Sequence, residues 1–225
     1  ISDEIGEIEQ ESWRKLIRVL THEIMNTVTP IASLSETLSS YMVDKDADSD
    51  VLAGLETISQ SSRGLIKFVE SYRNLTRVAA PVKKAFYVRE MIDRVIQLTA
   101  QQTSEAGAVC TYLEKSDDIL LYADESQISQ ILINLIRNAC QAGANKVEIT
   151  AELDRSDSVF IHVTNNGRPI SKESREEIFV PFYTTKQEGT GIGLSLSRQI
   201  MRLHNGTLTL TRSDESGTVF TLYFK

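Results

Sequence analysis

Residues 130–139, Gln-Ile-Leu-Ile-Asn-Leu-Ile-Arg-Asn-Ala, predict a helix that is largely apolar but carries two amides on one face. Asn134 and Asn138 are four residues apart, so their side chains project from the same side of the helix. Two amides on a buried helix must find hydrogen-bonding partners. Their neutral oxygens suit a Mg²⁺ ion that keeps water and phosphate oxygens as its other ligands. Structural caps or core hydrogen bonds would explain the pair equally well, so both interpretations stay open for this stretch alone.

A glycine-rich stretch follows this helix further along the chain, where residues 189–196 read Gly-Thr-Gly-Ile-Gly-Leu-Ser-Leu. Its three glycines, Gly189, Gly191 and Gly193, open a predicted helix. Glycine lets a backbone approach phosphates closely, and a helix N-terminus presents N–H groups to an anion. The spacing is not that of a Rossmann dinucleotide site, and the Lys-Ser/Thr ending of a P-loop is missing. Alone, this stretch is weak evidence for phosphate binding.

Two more motifs lie between these stretches. Residues 165–169, Asn-Asn-Gly-Arg-Pro, follow a predicted strand and could form an ordinary turn. Residues 178–186, Ile-Phe-Val-Pro-Phe-Tyr-Thr-Thr-Lys, contain Phe179 and Phe182 and could form a hydrophobic loop over the core. Lys186 ends this stretch, and either a phosphate contact or a solvated lysine would account for it.

Alternating strands and helices surround these motifs. Apolar residues at period two predict strands, and apolar residues at three- and four-residue spacing predict helices. Helices are predicted at about 88–105, 124–142 and 191–204, and strands at about 108–113, 119–122, 146–154, 158–164, 207–211 and 218–224. Asp124 is the predicted N-cap of the second of these helices. Antiparallel strand pairs mixed with helices predict an α+β two-layer domain.

The first 80 residues predict a different, helical domain. One apolar stripe, which covers about a quarter of a helical turn, is formed by Leu16, Leu20, Ile24, Ile31, Leu34 and Leu38. After a polar loop at 44–50, a second helix carries Leu55, Ile58, Leu65, Val69 and Tyr72 on one face. Two amphipathic helices bury too little apolar surface alone, so a second copy is expected to complete a four-helix bundle. The predicted domains are 1–80 and 85–225, with 81–84 as linker.

His22 lies on the first helix, about 195° from the centre of the apolar stripe, so its imidazole is expected to face solvent. An exposed imidazole on a rigid helix can attack a phosphoryl group. Glu23 could orient the ring or accept its proton, and Asn26, one turn further, could position a water. On position alone, an ordinary surface histidine is the simpler interpretation.

The five motifs together resemble those of the histidine kinase family, in order and spacing, over nearly the whole chain. The resemblance makes His22 the phosphoacceptor, places Asn134 and Asn138 in the asparagine box, and makes Asn138 a Mg²⁺ ligand. For residues 84–225 it implies the ATP-binding sandwich shared with gyrase-type and mismatch-repair ATPases.

The resemblance also assigns the remaining motifs. Residues 165–169, with Asn165 and Gly167, match the first glycine box. Phe179 and Phe182 match the phenylalanine box. The second glycine box is matched by Gly189, Gly191 and Gly193. The loop around 183–190 corresponds to a short lid over the triphosphate, in which Lys186 is a candidate phosphate contact.

Three residues depart from the family pattern. Asn165 stands where the family has an Asp that binds the adenine amine, and Pro169 stands where it has a second glycine. Thr27 replaces the usual proline five residues after His22, and Pro30 could supply the kink instead. The first two departures predict weakened ATP binding.

The resemblance implies an ATP-dependent kinase that phosphorylates itself on His22 and transfers the phosphoryl group to an aspartate of a response regulator, acting as a homodimer in the cytoplasm. A degenerate kinase that acts mainly as a regulator phosphatase through Asn26 is the alternative. An ATP hydrolase is less favoured, because related topoisomerases place a Glu at the position of Asn134, and an amide cannot take a proton.

Composition excludes some other classes. The net charge is −7 and the basic residues are scattered, which argues against a nucleic-acid surface. No run of 18 apolar residues is present, so the sequence predicts no membrane span. The chain begins at Ile1 rather than Met, so it is expected to be a fragment whose membrane anchor, if any, lies in missing upstream segments.

Overall fold

The computed structural model describes residues 24–40, 42, 49–76, 78–186 and 191–225. The chain divides into two compact units, Ile1–Arg77 and Val78–Lys225. Several residues singled out above lie outside the described part, namely Leu16, Leu20, His22, Glu23 and Gly189, as does the side chain of Tyr72. No helix among the described residues is long and apolar enough to cross a membrane.

The first unit contains a helical hairpin, as predicted. Helix α1 comprises residues 24–40 and helix α2 comprises Ser49–Thr76. The helices are joined through the Glu36 carboxylate, which accepts a hydrogen bond from Ser59 Oγ at 3.1 Å and pairs with Arg63 Nη2 at 2.6 Å. These two contacts lower the pKa of Glu36, with the Arg63 hydrogen bond as the larger cause.

The buried face of this hairpin is made mostly of small residues, and many of its large apolar side chains are exposed. The most buried residues of the two helices are Ala32, Ser35, Ser59, Ser62 and Val69. We call the exposed large side chains the outer apolar face: Ile31, Leu34, Leu38, Val51, Ile58, Leu65 and Phe68. Leu34, for example, is 62% exposed. The predicted stripe is therefore not the contact between the two helices of one chain.

The second unit is an α/β sandwich. Its main sheet has five strands in the order β2-β4-β5-β7-β6, and a separate antiparallel pair is formed by β1 and β3. The strands are β1 (Lys84–Tyr87), β2 (Val109–Glu114), β3 (Leu120–Ala123), β4 (Lys146–Leu153), β5 (Val159–Asn165), β6 (Thr207–Asp214) and β7 (Gly217–Phe224). The helices are α3 (Val88–Glu105), α4 (Glu125–Gln141), α5 (Ser174–Glu177) and α6 (Gly193–Leu203). Within the main sheet only β2 and β4 run parallel.

Most of these elements agree with the sequence prediction, with three differences. Strand β1 was not predicted, and its first residue, Lys84, had been assigned to the linker. Helix α5 was not predicted either, and β6 extends three residues beyond its predicted end. The core lies between the sheet and α3, α4 and α6, where α4 alone buries Ile128, Ile131, Leu132, Leu135, Ile136 and Ala139.

The start of α4 is hydrogen-bonded to the end of α6. Asp124 is the N-cap of α4, as predicted, and its carboxylate accepts hydrogen bonds from the N–H groups of Ser126 and Gln127. The backbone N–H of Asp124 in turn donates to Nε2 of His204 at 3.0 Å, and Nδ1 of His204 lies 2.8 Å from the Ile200 carbonyl oxygen. The buried imidazole therefore ties the end of α6 to the start of α4.

Candidate active site

The middle of α4 is hydrogen-bonded to the first turn of α6. Asn134 Nδ2 donates to Ser197 Oγ at 3.1 Å, and Ser197 Oγ donates to the Gly193 carbonyl at 2.8 Å. A β-carbon at Gly193 would overlap Asn134 Oδ1, so a larger residue here requires the Asn134 amide or the start of α6 to move. Gly193 therefore serves the packing of α6 against the Asn134 amide.

The N-terminus of α6 has no side-chain cap among the described residues. The first N–H groups of a helix have no partner within the helix. The N-cap residue is Ile192, whose side chain cannot accept a hydrogen bond. These N–H groups and the positive end of the helix dipole favour an anion at this point.

One turn after Asn134, α4 holds a cation. Lys186 Nζ donates to Asn138 Oδ1 at 3.3 Å and to Gln141 Oε1 at 2.6 Å. Although the residue as a whole is exposed, desolvation of its ammonium group lowers the pKa of Lys186. Two neutral amide oxygens three residues apart thus share one positive charge. These oxygens are the donors that Mg²⁺ accepts in proteins, so the set fits a metal ion that takes further ligands from phosphate and water.

The loop after β5 is held against the end of α4. The Arg168 N–H donates to the Ala142 carbonyl at 2.9 Å, and a β-carbon at Gly167 would lie 2.9 Å from the Ala142 β-carbon. Asn165, at the end of β5, is only 6% exposed, and its Oδ1 accepts the Gly167 N–H at 3.0 Å. The side-chain oxygen of Asn165 is therefore used within its own loop, and the amide nitrogen is the remaining donor of this side chain.

The stretch that ends at Lys186 is fixed to the start of α6 by its backbone. The Phe182 N–H donates to the Gly191 carbonyl at 3.0 Å. Both residues have positive φ, 69° for Phe182 and 67° for Gly191. A β-carbon at Gly191 would lie 2.4 Å from the Phe182 carbonyl carbon, so glycine is required here by close packing as well as by conformation.

Phe179 is part of the core. It is 8% exposed, and its ring meets Phe220 edge to face, with 6.4 Å between ring centroids. The guanidinium carbon of Arg198 lies 3.8 Å from the centroid of the Phe179 ring. These contacts anchor the segment that leads to Phe182 and Lys186.

The structure therefore brings three predicted motifs together along α4. Asn134 meets Gly193, Asn138 meets Lys186, and Ala142 meets the loop after β5. Asn26 belongs to the first unit, where it lies exposed on α1. Sequence reasoning missed Gln141 and Ser197. The spacing of Gln141 from Asn138, three residues on one helix face, would have indicated the former.

Comparisons with known proteins identify a matching family model and several similar proteins. A family model described as histidine kinase-, DNA gyrase B- and HSP90-like ATPase matches residues 123–225. The sensor histidine kinase ZraS of Salmonella typhi is 27% identical over 209 residues, which make up 91% of this chain and 44% of ZraS. The chain thus spans less than half the length of that curated relative.

Two solved structures extend the comparison. The nucleotide-free catalytic domain of the histidine kinase ThkA is 35% identical, with a TM-score of 0.57 over 63% of this chain and 94% of that structure. ThkA in complex with the response regulator TrrA is 26% identical, with a TM-score of 0.64 over 98% of this chain and 66% of that structure.

Proposed function

Because the chain belongs to the histidine kinase family, we propose that it uses ATP to phosphorylate its own His22 and passes the phosphoryl group to an aspartate of a response regulator. ThkA, which is similar over nearly the whole chain, was solved in complex with such a regulator. That similarity supports a receiver domain as the partner.

The hydrogen bonding of the other histidines is the observation that carries this proposal. The sequence contains three histidines. Both ring nitrogens of His204 are occupied, by the Asp124 N–H and the Ile200 carbonyl. Both ring nitrogens of His162 also have partners, Thr221 Oγ1 at 2.9 Å and Glu152 Oε1 at 3.3 Å. A ring nitrogen engaged in this way cannot attack phosphorus without breaking its contact, which supports the proposal of His22 as the nucleophile.

The residues along α4 supply the proposed nucleotide site. The N-terminus of α6, with Gly191 and Gly193, would receive phosphate oxygens, and Lys186 would move from α4 to the phosphates. Asn138 would hold Mg²⁺, which neutralises developing phosphate charge during transfer when it is bound. Asn134 positions α6, and Asn165 with Gly167 would contact the base.

In the proposed reaction a ring nitrogen of His22 attacks the γ-phosphorus, and the bond to the bridging oxygen of ADP breaks. The imidazole proton passes to Glu23, or to water. A carboxylate oxygen of the regulator then attacks the same phosphorus, the phosphorus–nitrogen bond breaks, and the imidazole takes a proton back from Glu23 or water, which regenerates His22. Each step transfers one phosphoryl group and needs no further reactant.

The hairpin supports two further parts of the proposal. Its outer apolar face would be buried by a second copy in a four-helix bundle, since exposed leucines and isoleucines in one copy favour association. Asn26 lies exposed on α1, four residues after His22 in the sequence, where its amide would orient water toward an aspartyl phosphate. A regulator phosphatase activity is therefore the second candidate function.

Incubation with γ-labelled ATP and Mg²⁺ tests the proposal. The wild-type chain should take up label, and His22→Gln should bind nucleotide equally well but take up none. A His162→Gln variant is the matched control and should label normally. Undiminished labelling of His22→Gln, or loss of labelling only in His162→Gln, would show that the phosphoacceptor has been assigned wrongly.

A further inference from the structure

A cavity of about 390 Å³ lies beside the free edge of the main sheet. One wall is formed by residues 209–213 of β6, and the others by Arg175 and Glu176 of α5, Arg198 of α6, and Phe179. We call it the edge-strand cavity. Phe179 is the only residue of the proposed nucleotide-binding set among those that line it.

Strand β6 is an edge strand of the main sheet and forms one wall of this cavity. Its register shifts between Leu210 and Arg212, which interrupts the usual alternation of side chains along a strand. Five consecutive residues line the cavity here. Strand β6 pairs with β7 on one side only, so part of its backbone on the other side is open to a further strand.

The walls of the cavity are strongly basic. Its charged residues are Arg175, Arg198, Arg212 and Glu176, in a protein whose net charge is −7. Among the described residues, none of the three arginines forms an ion pair with a carboxylate. The guanidinium group of Arg198 packs against the Phe179 ring, which holds this side chain at the wall of the cavity.

Arg175 connects helix α5 to the edge strand. Its guanidinium donates to the Ser213 carbonyl, so this carbonyl is already used and the rest of the β6 edge is what a further strand would pair with.

We propose that the edge-strand cavity binds an extended acidic peptide segment of a partner protein. The segment would add to β6 as a further strand, with its backbone on the open edge and its carboxylates against Arg198 and Arg212. A free phosphate would use the arginines but leave the strand edge unsatisfied. A neutral extended peptide would use the edge but offer no carboxylate to Arg198 and Arg212. Only an acidic strand uses both features.

The test measures fluorescence anisotropy with the full chain and a labelled, end-blocked heptapeptide of alternating glutamate and valine. We expect binding that weakens with salt, and protection of the β6 amides from hydrogen exchange when the peptide is present. The double variant Arg198→Gln/Arg212→Gln should bind at least about tenfold more weakly, since each lost charge-assisted hydrogen bond is worth roughly that factor. Arg155→Gln, an exposed arginine on the turn between β4 and β5, is the matched control and should bind normally.

Three results would overturn the proposal. The first is equal binding of a lysine–valine peptide, which would remove the role of the arginines. The second is equal binding of a peptide with proline at alternate positions, which cannot donate along a strand. The third is full displacement of the peptide by inorganic phosphate at similar concentration, which would indicate a small-anion site. The two peptide controls use the wild-type chain, so they test the proposal even if the arginine variants misfold. None of the measurements depends on ATP or His22.

Discussion

The Asn165 side chain already uses its oxygen within its own loop, where it accepts the Gly167 N–H. Replacement by aspartate keeps that acceptor and exchanges the amide donor for a second, charged acceptor. If Asn165 contacts the adenine amine, Asn165→Asp should bind ATP several-fold more tightly, because a charged acceptor adds on the order of 1 kcal/mol. It should also reject GTP more strongly, since the carboxylate repels the guanine carbonyl.

Titration of wild type and Asn165→Asp with both nucleotides measures this. Weaker ATP binding by the aspartate variant would mean that Asn165 does not face the adenine, and that the loop depends on the amide itself.

At Gly193 a single methyl group is expected to disturb the site through α4. In Gly193→Ala the new β-carbon would overlap the Asn134 amide, so either the amide or the start of α6 must move. We expect nucleotide affinity to fall by about tenfold or more and the fold to lose about 1–3 kcal/mol of stability. Nucleotide titration and urea unfolding measure the two effects.

Gly64→Ala is the matched control for that variant. A β-carbon at Gly64 in α2 would meet nothing within 4 Å. The substitution should therefore stabilise the hairpin by roughly 0.5–1 kcal/mol, through helix propensity alone, without changing nucleotide affinity. An unchanged affinity in Gly193→Ala would show that the start of α6 does not contact the nucleotide.

At the scale of the elements, the outer apolar face of the hairpin should control association. We expect Leu34→Ser/Leu38→Ser to shift the chain from dimer toward monomer by at least a hundredfold in dissociation constant, because each buried leucine contributes about 1.5–3 kcal/mol. Sedimentation equilibrium measures this shift, with the exposed charge variant Glu70→Gln as control. A dimer that survives the double leucine substitution would place the interface elsewhere.

The elements also show what the sequence could predict and what it could not. Long periodic stretches such as α4 and β5 were predicted nearly to the residue, and Asp124 was correctly identified as an N-cap. Strand β1 was missed because none of its four side chains is buried, so no apolar alternation marks it. For the hairpin, the periodicity of the apolar residues predicted the apolar stripe but not the surface that packs against it. A helical wheel does not show whether the same chain or a second copy covers that face.

The sequence also predicted part of the candidate site. The motifs and their residue types could be recognised, and the structure brings Asn134, Asn138 and Gly193 together. The pairing of Lys186 with Asn138 could not be foreseen, because it joins residues 48 positions apart through tertiary packing. The same holds for the bond between His204 and Asp124, which links two helices 80 positions apart.

At the scale of the molecule, the proposed reaction is divided between the two units. His22 belongs to the first unit and the proposed nucleotide site to the second. Nucleotide binding and phosphoryl acceptance are therefore expected to respond to different substitutions. Variants along α4 should lose both labelling and nucleotide binding, whereas His22→Gln should lose labelling alone.

The pairing of the central strands β5 and β7 determines the stage of folding at which the proposed nucleotide site can form. β4–β5 and β6–β7 are local antiparallel pairs, whereas the β5–β7 pair joins Asn165 to Thr218 and closes a loop that contains residues 167–193. Closing such a loop costs entropy, so the pair should form late, after the folding transition state. Saturating Mg²⁺–ATP should then slow the unfolding of a 78–225 fragment and leave its folding rate unchanged, as read from stopped-flow circular dichroism. Faster folding in the presence of nucleotide would show instead that the nucleotide site is already formed at the barrier.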